Sequence, residues 1–394
     1  IFMAVMITDI LLLDFFNTLG MPTSTTVSIV FELLGAAVAV SLIKIFAGGG
    51  GASELVDYIN VTKATQIISG ILLSVFIAFS VGAVVQYASR LLLSYNYEQK
   101  AVWVGSLFGG VALTSITYFI LMKGIKGTAY AKQSFEILNG STIANFMETQ
   151  VLLIAFTSFI LLSAISFLLI SFFKINIYKI IIGVGTFSLA LAFAGNDLVN
   201  FIGVPIAAWQ SYEAWSVSGI QATEFSMEVL ATKVPTPTVL LFLAGMVMVV
   251  TLWISSKAKK VTKTEIDLAR QQDTKERFNP NFLSRSLVRL SVNISNLTSK
   301  VIPEKTQTFI ERQFQKPQIK LASNKSVDLP AFDMIRAAVN MMVAAILISI
   351  ATSFKLPLST TYVTFMVAMG TSLADRAWGS ESAVYRVAGV LNVI

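Results

Sequence analysis

Pro22-Thr23-Ser24-Thr25-Thr26 and Pro357-Leu358-Ser359-Thr360-Thr361 are two copies of one pattern: a proline, one spacer and Ser-Thr-Thr, set in apolar surroundings. A constant offset of 335 residues superposes them, and also superposes the glycine 13 positions beyond each proline, Gly35 and Gly370. Proline is tolerated in the first turn of a helix, where its missing N–H costs nothing, and serine and threonine there act as caps. Each copy therefore reads as a helix start inside a membrane segment. Hydroxyls bonding back to their own helix would explain one such copy. Two matched copies point instead to two halves of a chain that share one site.

The first-turn N–H groups of a helix lack intrahelical partners and carry the positive end of the helix dipole. With three neutral hydroxyls beside them they form a site that takes an oxyanion such as phosphate without a lysine.

The composition places these starts in a bilayer. The 394 residues are 55% hydrophobic and 13% charged, with mean hydropathy +0.73; a soluble domain carries about 25% charged residues. Several runs reach the ~20 residues that cross a ~30 Å hydrocarbon core. They are continuously apolar rather than alternating, which argues against a β-barrel. Apolar spans are expected at 1–19, 23–47, 62–95, 101–122, 147–173, 177–194, 236–256, 331–354, 358–374 and 383–394, with a short interrupted segment at 198–209 and a polar loop at 211–234. Both ends of the chain are apolar, so a fragment lacking terminal membrane segments is expected.

There is no cysteine and no histidine. Disulfides, thiol and imidazole chemistry and the usual zinc sites are thereby excluded. The net charge of +7 is concentrated: residues 257–330 hold 15 Lys+Arg against 7 Asp+Glu, and the rest of the chain 14 against 15. This divides the chain into membrane regions at 1–256 and 331–394 and a basic hydrophilic insert at 257–330. Lys257, Lys259, Lys260 and Lys263 directly follow an apolar run, which by the positive-inside tendency makes the insert cytoplasmic. Anionic lipid, not nucleic acid, is the partner this charge implies. Within the insert Phe282, Leu283, Leu287, Leu290 and Ile294 recur at three- and four-residue spacing, the pattern of a helix lying on a bilayer or of a solvated loop with marginal helix.

A third element, Gly195-Asn196-Asp197-Leu198-Val199-Asn200, puts an acid and two amides into an apolar stretch. A carboxylate at membrane depth costs a few kcal/mol, so it is usually paired or functional. Gly195 is expected to break the helix and free backbone carbonyls. With Asp197, Asn196 and Asn200 these would form a hard-cation site suited to sodium, or a proton acceptor. The same residues at the membrane surface would be an ordinary turn. Among lone acids, Glu32 lies seven residues after Thr25 and shares its helix face, and Asp14 shares one with Asn17. Both are read as cation-binding candidates. Asp333 and Arg336, one turn apart, are expected to neutralise each other. Gly105, Gly109 and Gly110 read as a helix-packing face.

These motifs resemble those of the PiT-type inorganic phosphate transporters, sodium- or proton-coupled symporters. That family carries two inverted repeats, each with a Gly-x-Asn-Asp-x-x-Asn motif and a later Pro-x-Ser-Thr-Thr motif at a broken or re-entrant helix. The resemblance covers nearly all of the membrane part. One Asn-Asp motif is present, as Ala194-Gly195-Asn196-Asp197 where the family usually reads Gly-Ala-Asn-Asp. The family often has histidine after the hydroxyl triplet; here Val27 and Tyr362 stand there, so no proton relay is expected at those positions.

The resemblance implies an all-α polytopic membrane protein with two inverted repeats and broken or re-entrant helices, plus a polar cytoplasmic insert. It implies that Ser24, Thr25, Thr26, Ser359, Thr360 and Thr361, with Asn196 and Asp197, hold phosphate oxygens, and that Asp197 and Asn200 hold a sodium ion. The expected activity is cation-coupled phosphate import by alternating access, in a bacterial inner membrane, with no cofactor beyond the coupling sodium ion or proton and with a homo-oligomer left open. Sulfate symport is the alternative; an anion channel or an enzyme acting on lipid phosphates ranks below it.

Overall fold

A computed structural model describes residues 1–121, 129–134, 140–222, 224–231, 236–271, 278–316, 330–353, 358–379 and 382–393. Pro357, read above as preceding a helix, lies outside these residues. The helices in chain order are α1 (Phe2–Leu19), α2 (Thr25–Ala47), α3 (Leu55–Tyr58), α4 (Val61–Leu93), α5 (Val102–Ile120), α6 (Ile143–Thr149), α7 (Val151–Ser171) and α8 (Ile177–Ser218). They continue with α9 (Thr238–Ile254), α10 (Ser256–Ala269), α11 (Phe282–Val301), α12 (Glu304–Gln313), α13 (Met334–Ser353), α14 (Thr360–Ala374) and α15 (Ser382–Val393). Among the described residues there is no strand. Among the described residues, helices α1, α2, α4, α7, α8 and α13 are long and apolar enough to cross a bilayer, and α9 and α10 pass the same test only as a pair joined across a 69° bend. The protein is an all-helical integral membrane protein.

The chain forms two compact units. The first comprises residues 1–73, 192–264 and 357–361. Its α1 stops at Gly20, whose φ of 64° is left-handed; the N–H groups of Gly20 and Met21 return to the carbonyls of Asn17 and Phe16 and close the helix end. Ser24 then starts α2. Its backbone is extended, and its Oγ accepts from the Val27 N–H at 3.2 Å, as an N-cap should. Val5, Ile29 and Val204 form a buried cluster, with Phe2, Met6, Leu33 and Ala36 packed around it.

The second unit comprises residues 74–191, 265–356 and 362–394. Helices α5 and α7 meet along the small-residue face read from the sequence: a Cβ at Gly110 would stand 1.9 Å from Ser163 Oγ, and one at Gly109 would stand 2.9 Å from Ser166 Oγ. Helix α14 crosses α4 at similarly close range, because a Cβ at Gly370 would lie 2.1 Å from the Phe79 carbonyl oxygen. Its counterpart Gly35 faces open space. The matched glycines therefore do different things.

Arg90 is fully buried in this unit. It is clamped between Asp333 at 2.8 Å and Asp375 at 2.7 Å, while Gln86 Nε2 donates to Asp375 at 3.1 Å. The expected Asp333–Arg336 side-chain pair does not form. Asp333 instead accepts from the Arg336 backbone N–H at 3.2 Å and gives its charge to Arg90, a partner far away in sequence. The Arg90 guanidinium stacks on the Tyr95 ring, and burial raises the Tyr95 hydroxyl above the usual tyrosine range. Tyr95 donates to the Asp375 carbonyl and accepts from Gln271.

The basic insert is helical where described. Helix α11 covers the predicted amphipathic stretch, leaves Phe282, Leu283, Leu287 and Leu290 exposed, and packs against α15. The Ile294 side chain lies outside the description. Leu268, Phe278 and Phe314 of the insert are buried.

In α8 the helix breaks expected at Gly195 and at Gly203-Val204-Pro205 do not occur, and the helix runs unbroken to Ser218, into the first third of the segment expected as loop. Pro205 removes one backbone donor, which a membrane helix tolerates. The polar side chains at 196, 197 and 200 bond sideways to threonines instead of folding back as a turn.

Candidate functional site

Both hydroxyl triplets lie at helix starts, and the starts keep the offset of the motifs: α2 begins at Thr25 and α14 at Thr360. Asn196 and Asn200 are one turn apart on α8 and so share a face. That face meets α2. Thr26 Oγ1 accepts from Asn196 Nδ2 and from Asn200 Nδ2, each at 2.8 Å. Asp197 Oδ1 accepts from Thr25 Oγ1 at 3.1 Å, from Asn196 Nδ2 at 3.0 Å and from Thr360 Oγ1 at 3.4 Å. Asn196 Nδ2 also reaches Thr360 Oγ1 at 3.5 Å. One network thus joins the first triplet, the Asn-Asp element and the second triplet within the first unit.

The other expected residues are placed as follows. Ser24 and Ser359 are buried, and Ser24 serves α2 as its cap. Thr361 is half-buried in the first turn of α14. Glu32 is one turn beyond Ser28, whose Oγ donates to its Oε1 at 2.9 Å. Asp14 is not brought into the network: it is exposed and ion-paired with Lys257 of α10. Since α8 is continuous, its backbone carbonyls at 195–200 remain in the helix. The oxygens this element offers come from side chains alone.

The arrangement mixes threonine hydroxyls, amide N–H groups and two helix N-termini with one carboxylate. The donors suit an oxyanion. The carboxylate opposes one: two like charges 4 Å apart repel by about 4 kcal/mol at an effective dielectric of 20. A cation beside Asp197 cancels that repulsion, so anion and cation would each favour the other's binding.

Ser28 and Asp9 escaped the reading of the sequence. Ser28 carried a signal in its i, i+4 spacing to Glu32. Asp9 carried none, because its importance depends on which face of α1 is packed.

No family model matches the chain, and no curated protein matches it. Its structure does have a likeness among solved structures: 14% sequence identity over 100% of this chain and 78% of the other, with a TM-score of 0.51. The chain shares its fold with a protein described as the sodium-dependent phosphate transporter. The likeness in fold agrees with the apolar helices described above.

Proposed function

We propose that the protein is a secondary active transporter that imports inorganic phosphate together with a coupling cation, sodium. The observation that carries this reading is the single hydrogen-bond network in which Thr26, Thr360 and Asp197 meet through Asn196. The hydroxyls of Thr25, Thr26 and Thr360, with Ser24, Ser359 and Thr361 at the same helix starts and Asn196 beside them, hold the phosphate oxygens. Asp197 and Asn200 hold the sodium ion. Asp14, neutralised by Lys257, contributes little to cation binding. The solved likeness, whose description names sodium and phosphate, supports this assignment.

In the mechanism, sodium enters first and offsets the Asp197 charge. Phosphate then binds the hydroxyls, and the loaded site switches exposure between the two sides as the inverted repeats rock. The basic insert, with Lys257, Lys259, Lys260 and Lys263 next to α9, lies on the cytoplasmic side of a bacterial inner membrane.

The test is uptake of labelled phosphate by the purified protein in liposomes, with sodium and pH gradients imposed separately. Sodium-driven, saturable uptake that excess sulfate does not inhibit is expected. Uptake driven only by a proton gradient would replace sodium as the coupling ion, strong inhibition by sulfate would replace phosphate as the substrate, and non-saturable flux would indicate a channel.

A further inference from the structure

Helix α1 buries three residues one turn apart, Val5, Asp9 and Leu13. Two of them are what an apolar helix face should bury. Asp9 is fully enclosed, with 0% exposure, and neither of its carboxylate oxygens has a hydrogen-bond partner. Across from α1, helix α2 buries Ser28 and Ile29, and Ile29 packs on Val5. Ser28 lies within reach of Asp9 and donates to Glu32 Oε1 at 2.9 Å. Glu32 Oε2 is buried and has no hydrogen-bond partner.

An isolated ionised carboxylate in such surroundings costs several kcal/mol even after relaxation. Among the described residues no basic side chain pairs with it. Lys44 lies 12 residues beyond Glu32 on α2, about 18 Å along the helix, and Lys257 is paired with Asp14. Among the described residues nothing supplies the positive charge.

We propose that Asp9, Ser28 and Glu32 form a second cation site, for one sodium ion, separate from the Asp197 network. Oxygen ligands select a hard cation. Asp9 and Glu32 supply two oxygens each and Ser28 one, fewer than the six to eight that calcium takes. Glu32 is half-buried and keeps contact with water, so only the enclosed charge of Asp9 demands full compensation, and one positive charge supplies it. A proton on Asp9 would neutralise the same charge, and the binding measurement below separates the two by counting sodium directly. The site deepens the transport reading by giving sodium two places to bind. Its existence, unlike its use, does not depend on phosphate being carried.

The test is equilibrium binding of radioactive sodium to the purified full chain in detergent, without phosphate. Two sodium ions per chain are expected. Asp9→Asn and Glu32→Gln should each remove one, and Asp197→Asn should remove the other. Ser28→Ala, the mildest change, should weaken the Asp9 site about tenfold. Size-exclusion profiles matching the unaltered protein establish that the variants fold. If Asp9→Asn fails to fold, Ser28→Ala alone decides. Sodium isotherms unchanged by folded Asp9→Asn or by Ser28→Ala overturn the site, as does a release of protons on substitution without loss of sodium. Loss of one sodium in a protein that moves no phosphate would uphold the site while refuting the transport reading.

Discussion

Thr360 Oγ1 donates to Asp197 Oδ1 at 3.4 Å, although 163 residues separate them in the chain. The acid of the Asn-Asp element is thereby tied to the second hydroxyl triplet as well as to the first, through Thr25.

Thr360→Ala removes a hydroxyl from both Asp197 and Asn196. A hydrogen bond of this kind is worth about 1 kcal/mol, so a loss of one or two raises the phosphate KM roughly 5- to 30-fold. Uptake kinetics in liposomes, normalised to inserted protein, measure this. An unaltered KM at limiting phosphate would remove Thr360 from the site.

Asp197→Asn keeps the size of the side chain and discards its charge. Phosphate uptake should fall at least tenfold, and what remains should no longer depend on sodium. A variant that retains a normal sodium dependence would place the coupling ion elsewhere.

Gly370 and Gly35 occupy matched sequence positions in unlike surroundings. Gly370→Ala forces a methyl group against the Phe79 carbonyl and should destabilise the protein by about 1–3 kcal/mol, as overpacking does. Gly35→Ala meets no neighbour and should be neutral or slightly stabilising, since alanine favours the helix by roughly 0.5–1 kcal/mol. Thermal unfolding in detergent compares the two directly; equal shifts would contradict the close crossing of α14 and α4.

Arg90 holds Asp333 and Asp375 with its planar fork and is buried with them. Removing one partner of a buried pair costs about 3–5 kcal/mol. Asp375→Asn should therefore lower the melting temperature sharply. Arg90→Lys should not restore the unaltered behaviour, because an ammonium group cannot make the paired contacts. A Lys variant as stable as the starting protein would reduce this cluster to a simple point-charge contact.

The sequence reads well where a residue's role is local. Both Ser-Thr-Thr copies fall at helix starts because proline and capping hydroxyls act over three or four residues, and the spans other than α8 end near their predicted limits because ~20 apolar residues match a bilayer. It reads poorly where a role depends on distant neighbours. Gly195-Asn196-Asp197 looks like a turn, yet α8 continues through it because threonines from α2 and α14 satisfy the polar groups from the side. Asp333 looks like a partner for Arg336 one turn away, yet Arg90 reaches it from α4. Asp9 and Asp14 look alike in one apolar run; only the packing of α1 on α2 encloses the first and exposes the second.

The insert carries one last consequence. Leu268 and Phe278 close over Gly389 so tightly that a Cβ there would stand 2.7 Å from one and 2.8 Å from the other, and α11 lies along α15. A stretch whose charge suggests a dispensable tether is in fact the lid on the last helix. Excising residues 257–330 to simplify the protein would strip α15 of its covering and leave a greasy, misassembled C-terminus.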